Sequence, residues 1–329
     1  MTARRRLVGK LIAALLGAAS LAASPAALAQ GADFPSRPMR LVVPYPPGAS
    51  TDLISRAIAE EAGKRLGQPI VVENRPGGGT VVGTQAVRNA PADGYTLMFQ
   101  AASLLSNTYI MKNPGYKLSD FTPVTMLSDA AYVMLVPSKL PVKSLAEFVA
   151  HAKANPGKMN YASLGRGTRT FVLPYRLGRA AGLDWTEITF KGTAEAAQSV
   201  MSGDVQAYFS TQAFASTQTG SDKLRLVAIT SEKRVDFLPD LPTFKELGYP
   251  DVTDQTWYAL FMRSETPKPI LDKMRAVLAD AMRSDAMKDA LKVNGLSPYD
   301  GTLEAFPAKM DAELARFIKE AKELGIEPQ

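Results

Sequence analysis

The sequence predicts an α/β protein whose mainly parallel sheets are flanked by helices and divided between two halves. Three observations predict it. Short β-branched runs alternate with amphipathic stretches through residues 39–153, the pattern of a parallel sheet with crossover helices. The same alternation begins again after Asn155-Pro156-Gly157. In each half a strand runs into a glycine-bearing loop that opens a helix, at Gly48 and at Gly165.

The chain opens on an export signal. Arg4, Arg5, Arg6 and Lys10 form a basic region, residues 11–21 are apolar apart from Ser20, and Ala27-Leu28-Ala29 offers a small-x-small cleavage site before Gln30. Residues 1–29 therefore read as a cleavable signal peptide. A membrane anchor is disfavoured, because the apolar run falls short of the ~20 residues a span needs and Pro25 interrupts it. The arginine cluster leaves both general and twin-arginine export open.

Cleavage also removes most of the charge imbalance. The whole chain is formally +6, and taking four of the 38 basic residues away leaves 34 against 32 acidic ones. A nearly neutral mature chain does not have the footprint of a nucleic-acid binder. With no cysteine, stability has to come from buried apolar area rather than disulfides. Roughly 300 mature residues can supply it, in two domains rather than one.

In order, residues 39–45 predict a strand, 53–66 a helix ended by Gly67, and 69–73 a second strand. A glycine-rich turn, a helix over 80–88 and a strand over 95–99 follow. Residues 131–136 are apolar enough for a buried strand. Ser144-Leu145-Ala146-Glu147 is a capping box that starts a helix to about Lys153. In the second half, 159–163, 186–190, 205–209 and 224–230 read as strands, with helices over 170–181 and 193–202 between them. Residues 257–262 form a further strand. Two amphipathic helices close the chain, one carrying Ile270, Met274, Val277, Leu278 and Ala281 on a single face, the other Phe306, Met310, Leu314, Phe317 and Ile318.

Enzymatic patterns fail on inspection. Gly48-Ala49-Ser50-Thr51-Asp52 resembles a nucleophile elbow, but Asp52 stands where the last glycine belongs. A nucleophilic Ser50 also needs a base, and the single histidine, His151, falls on a helix as an ordinary surface residue. No Ser-x-x-Lys occurs. The run Pro76 to Thr84 lacks the lysine of a phosphate loop and has Val82 where a dinucleotide fold needs glycine, so it reads as a permissive turn. One histidine and no cysteine leave no metal set, and no cofactor is expected.

The two glycine loops have a different use. A helix start leaves backbone N–H groups unpaired and carries partial positive charge, so it can hold an anion without a lysine or arginine. Pro47 to Thr51 supplies one such start; Ser163-Leu164-Gly165-Arg166-Gly167-Thr168 supplies another, with two hydroxyls and two glycines. Either alone is an ordinary turn. Facing each other, four bonds of ~1.5–3 kcal/mol to a charged group would give about 6–12 kcal/mol, enough for micromolar binding at ~8 kcal/mol.

At these residues the chain resembles the Bug-type periplasmic solute receptors of tripartite tricarboxylate transporters. The resemblance runs from Phe34-Pro35-Ser36-Arg37-Pro38 through Val43-Pro44-Tyr45-Pro46-Pro47-Gly48, Val72-Glu73-Asn74-Arg75-Pro76-Gly77, Ala92-Asp93-Gly94-Tyr95-Thr96-Leu97 and Asp120-Phe121-Thr122-Pro123-Val124. Lys191-Gly192, Leu238-Pro239-Asp240-Leu241-Pro242-Thr243 and Glu246-Leu247-Gly248 extend it.

The resemblance implies a two-lobed type II periplasmic-binding-protein fold, hinged between lobes, that closes on a small organic carboxylate and delivers it to two integral-membrane permease subunits. Lobe 1 would be residues 30–133 with 258–329 and lobe 2 residues 134–257, in a monomer located in the periplasm. Carried onto this sequence, the ligand residues are Pro47, Gly48, Ala49, Ser50 and Thr51 in lobe 1, and Ser163, Gly165, Arg166, Gly167, Thr168, Gly192 and Thr193 in lobe 2. Tyr45 joins them as an aromatic lining, with Phe190 and Phe209 as further candidates. Asp52 is expected to cap the helix rather than touch an anion.

Three positions depart from the family pattern. Ala49 replaces a usual glycine, Arg166 lies inside the second loop, and Phe209-Ser210-Thr211 lacks an acidic residue that many relatives carry there. Without that acid an ammonium loses its partner, which favours a ligand with no amine. A hydrolase using Ser50, and a sensor that reports to a kinase, are the alternatives at this point.

Overall fold

The computed structural model describes residues 34–165 and 168–328. In chain order the elements are β1 (Met39–Val43), α1 (Ser50–Leu66), β2 (Ile70–Asn74), α2 (Val81–Arg88), β3 (Thr96–Gln100), α3 (Ser103–Ile110) and β4 (Phe121–Pro137). Then come α4 (Leu145–Ala154), β5 (Met159–Ser163), α5 (Arg169–Ala181), β6 (Trp185–Thr189), α6 (Thr193–Ser202), β7 (Ala207–Thr211), α7 (Gln212–Thr217) and β8 (Leu224–Ile229). The chain ends through β9 (Gln255–Arg263), α8 (Lys268–Met282), α9 (Asp285–Val293), β10 (Ser297–Pro298) and α10 (Phe306–Glu323).

The strands pair in the order β2-β1-β3-β9-β4-β7-β5-β6, with β8 and β10 added to β4. Each half holds a parallel trio, β2-β1-β3 in one and β6-β5-β7 in the other. Antiparallel pairs of β4 with β9, β7, β8 and β10 complete a mixed sheet. The two halves are joined by β4 itself. Its Phe121-to-Ala131 part pairs with β9, and from Tyr132 onward it pairs with β7 and β8.

That strand is 17 residues long, and only its second part was visible as an apolar run. Residues 121–130 carry Pro123 and several Ser and Thr residues that break the pattern. The register shifts at Pro123/Thr125 and again at Met126/Ser128, so the proline sits at an irregularity where its missing N–H is tolerated. Beyond the crossover, Val133 and Leu135 face one core cluster while Met134 and Val136 face another, the alternation of a strand buried on both sides.

The return crossing is at β9, which starts at Gln255 opposite Ala131. Thr230 stitches the two crossings together. Its hydroxyl accepts from the Tyr132 amide at 2.9 Å and donates to the Asp254 carbonyl at 2.5 Å.

Register also sets where the loops face. In the first sheet Gln100, the end of β3, lies opposite Ala259, and β9 runs from there back toward the crossover. In the second sheet Thr211, the end of β7, lies opposite Tyr132, where β4 has just crossed. Since β1 and β2 run with β3, and β5 and β6 run with β7, both trios end on the crossover side.

The first-half core contains Val42, Met98, Phe121, Trp257 and Phe261, closed by Phe306 and Met310 from α10. Further along the same helix, Phe317 and Ala321 pack on Phe171 and Val172 of α5 in the second half. Helix α10 therefore touches both halves.

Candidate functional site

The first loop leaves β1 at Val43 and enters α1 at Ser50. Gly48 turns it with φ +79°, a value only glycine adopts freely, and a Cβ there would meet nothing within 4 Å. Ala49, the residue before the helix, has φ −73° and ψ 160°, which any residue can take, so alanine brings no strain at this position. Ala49 offers no side-chain cap. The Thr51 hydroxyl is buried and has no hydrogen-bond partner among the described residues.

Asp52 holds the loop from behind. It accepts from the Gly48 amide at 2.9 Å, from Asn74 Nδ2 at 3.0 Å and from Arg56 Nε at 3.1 Å. Burial alone would raise its carboxyl pKa; the Gly48, Arg56 and Asn74 bonds outweigh that and hold it below the ordinary 3.8. The cap position expected of Asp52 is held by Ala49 instead; Asp52 lies in the first turn and braces the loop by reaching back to Gly48.

Tyr45 stands beside this loop with its hydroxyl 3.1 Å from Ser103 Oγ. Burial pushes its phenol well above the ordinary range despite that bond. Ser103 belongs to a polar cluster that the sequence did not reveal. Gln100 Nε2 donates to Thr84 Oγ1 at 2.7 Å and to Thr80 Oγ1 at 3.3 Å, and Asn107 Nδ2 donates to the Gly79 carbonyl at 2.7 Å. Together these bonds hold Thr80 at φ +87°, the one positive-φ non-glycine residue among those described. Only the glycines before it hinted at an unusual turn.

In the second half, Ser163 ends β5 fully buried, and its hydroxyl accepts from the Gly165 amide at 2.8 Å. Thr170 Oγ1 accepts from Leu164 N at 2.8 Å, and Thr168 donates its hydroxyl to the Gly165 carbonyl at 2.7 Å. Thr168 precedes α5 without capping it by its side chain. Arg166 and Gly167 lie outside the described residues.

Gly192 precedes α6 in an extended conformation, again with no side-chain cap and open space where a Cβ would stand. Thr193 Oγ1 accepts from the Tyr208 hydroxyl at 3.4 Å. The Phe190 amide bonds the Ser163 carbonyl at 2.8 Å, which draws the β5 and β6 loops together. Among the described residues, Ala49, Thr168 and Gly192 therefore each precede a helix start without a side-chain cap of their own. Remote helices differ: Ser144 and Ser284 cap α4 and α9 with their own hydroxyls.

Two aromatic candidates separate from this group. Phe209 is fully buried and stacks on Phe244 at 5.4 Å, so it is core. Phe190 is partly buried against the second-half core. Thr211, the last residue of the Phe209-Ser210-Thr211 run, caps α7 by accepting from Phe214 N. A groove of about 600 Å³ between α5 and α10 is lined by Arg176, Arg179, Arg316 and Glu320 and contains none of the loop residues above. Among the described residues no group of three or more metal-binding side chains occurs, and no helix is long and apolar enough to cross a membrane.

A family model described as "Tripartite tricarboxylate transporter family receptor" matches residues 54–324. The chain belongs to this receptor family. Among curated relatives, the receptor is 35% identical over 297 residues to "UPF0065 protein in gbd 5'region" of Cupriavidus necator, covering 90% of each chain. It is 32% identical to the protein BugT of Bordetella pertussis, covering 95% of this chain and 97% of BugT. The periplasmic binding protein BugD superposes with a TM-score of 0.77 at 30% identity, over 90% of this chain and 100% of BugD. An R. palustris protein solved with adipate gives 0.80 at 28% identity, over 90% and 100% of the two chains. MatC from Rhodopseudomonas palustris, with bound malate, gives 0.74 at 27% identity, over 87% and 99%. The receptor shares their two-lobed periplasmic-binding fold, and its family is one of solute-binding receptors for a transporter.

Proposed function

We propose that this receptor captures a small organic carboxylate, without an amine, between its lobes and delivers it to two integral-membrane permease subunits. It does so as a monomer in the periplasm after residues 1–29 are removed, and it catalyses no reaction. Lobe 1 is residues 30–131 with 255–329 and lobe 2 residues 132–254, two or three residues from the sequence-based bounds of 133 and 258, because β4 meets β7 from Tyr132 and β9 begins opposite Ala131.

One observation carries the reading: parallel strands of both halves end on the crossover side, and there Ala49, Thr168 and Gly192 precede helix starts left without a side-chain cap. Uncapped amides are the donors a carboxylate needs, and the helix dipoles favour negative charge. Pro47, Gly48, Ser50 and Thr51 form one grip, with Tyr45 beside it. Ser163, Gly165, Arg166, Gly167, Thr168, Gly192 and Thr193 form the other. Closing the lobes removes water from around the anion and strengthens each bond to it. The adipate and malate bound by two relatives support a dicarboxylate. The lack of an acidic residue in Phe209-Ser210-Thr211 supports a ligand that brings no ammonium.

Thermal unfolding of residues 30–329 tests this. The protein is first denatured and refolded to strip any bound acid, then mixed with adipate, malate, citrate, benzoate or glutamate. Adipate or malate at ~100 times its dissociation constant should stabilise by about 2.7 kcal/mol, and glutamate, a diacid with an amine, should not. A shift with glutamate alone, or with none of the acids, contradicts the proposal.

A further inference from the structure

Beyond the ligand loops, the most densely charged buried cluster lies under the second one. Arg169, the first residue of α5, follows Thr168 directly, and its side chain is only 9% exposed. Nε lies 3.4 Å from Asp254, Nη2 3.3 Å from Glu313 and Nη1 3.6 Å from Glu320. Asp254, wholly buried, immediately precedes β9 at the return crossing and also receives Arg176 at 2.8 Å and Arg316 at 3.2 Å. Arg176 reaches Glu320 as well. Glu313 is fixed on its other side by the Trp257 indole N–H at 2.8 Å.

Three guanidiniums and three carboxylates balance, so the cluster brings no net formal charge to the root of the loop. Its geometry matters more. Glu313 and Glu320 belong to α10, whose Phe306 and Met310 are built into the first-half core. Asp254 belongs to the crossing. Arg169 belongs to the second half, one residue from a loop whose Gly165 carbonyl is bonded by both the amide and the hydroxyl of Thr168. One side chain thus ties the root of the second loop to the other lobe and to the hinge.

We propose that Arg169 is a positioning residue for ligand binding: its three-carboxylate socket sets where Thr168 and the start of α5 stand relative to lobe 1. This rests on the reading of the loops as a ligand grip. A fork-shaped guanidinium can meet three carboxylates at once, which an ammonium on a flexible stem does less well. The pairs are buried, so removing the cation takes the arginine from Glu313 and leaves Asp254 and Glu320 to Arg176 and Arg316, and the loop root loses its fixed position.

The test compares wild type with Arg169→Gln, Arg169→Lys and Glu320→Gln, using residues 30–329. Hydrogen exchange without added acid reads the loop, and titration with adipate and malate reads binding. In Arg169→Gln, amides of residues 163–172 should exchange at least ~10 times faster while those of 39–43 and 70–74 keep wild-type rates. Affinity for the diacid that wild type binds should fall at least ~10-fold. Arg169→Lys should recover part of both, and Glu320→Gln, which keeps two of the three carboxylates, should show a smaller change in the same window. Faster exchange throughout the protein in all three variants would mean a merely structural ion cluster and overturn the proposal, as would unchanged exchange at 163–172. If wild type binds neither diacid, the ligand reading fails while the exchange comparison still decides the role of Arg169.

Discussion

Asp52 and Ala49 show how single side chains shape the first grip. The Asp52 carboxylate takes up the Gly48 amide and leaves the helix start beyond it free. Because its folded pKa lies below the unfolded 3.8, the stability it contributes is present above that value and is lost as pH falls through the folded one. Asp52→Asn should therefore be less stable than wild type at neutral pH, by about 1–2 kcal/mol, and the gap should narrow on acidification. Thermal midpoints of both proteins from about pH 5 to about pH 2 would show it. Ala49 is open to improvement, since serine or aspartate caps a helix that alanine leaves bare. Ala49→Ser should raise stability by about 0.5–1 kcal/mol, measured by urea unfolding.

At the level of elements, β4 is the piece on which the architecture turns. Leu135 is fully buried on the second-half side of the crossing, and Leu135→Ala should cost about 2–5 kcal/mol of stability in urea. The apolar half of β4 was legible because both its faces are buried. The polar half was not, because Pro123 and the register shifts erase the alternation a strand needs. Helices α3, α7 and α9 were missed for a related reason: they are short, and α3 and α7 have no long amphipathic stripe. The site divides in the same way. Loops at strand ends are written locally, in glycines, prolines and hydroxyls, and could be read from sequence. The Tyr45–Ser103–Gln100 cluster and the Arg169 socket join residues as far apart in the chain as Arg169 and Glu320, and no local pattern announces them.

Across the whole molecule, two strand crossings and one bridging helix connect the halves. Thr230 bonds the two crossings to each other, which makes them one narrow joint rather than two independent linkers. On either side of that joint a parallel trio delivers loops to the same side, the arrangement in which open α/β sheets bind ligands beyond the carboxyl ends of their strands. An anion held there would be shared by helix starts from both lobes. Placing a negative charge at either start tests this directly, because an aspartate before a helix stabilises the helix while repelling the ligand. Gly192 is extended with open space at its Cβ position, and Ala49 has an ordinary backbone, so both accept aspartate without strain. Calorimetric titration of wild type, Ala49→Asp and Gly192→Asp with adipate and malate is the decisive measurement. Shared binding by helix starts of both lobes predicts one equivalent of a diacid bound by wild type at micromolar or tighter affinity. Each variant should bind it at least about a hundredfold more weakly, with an unchanged or higher melting temperature. Wild-type affinity in either variant would contradict it.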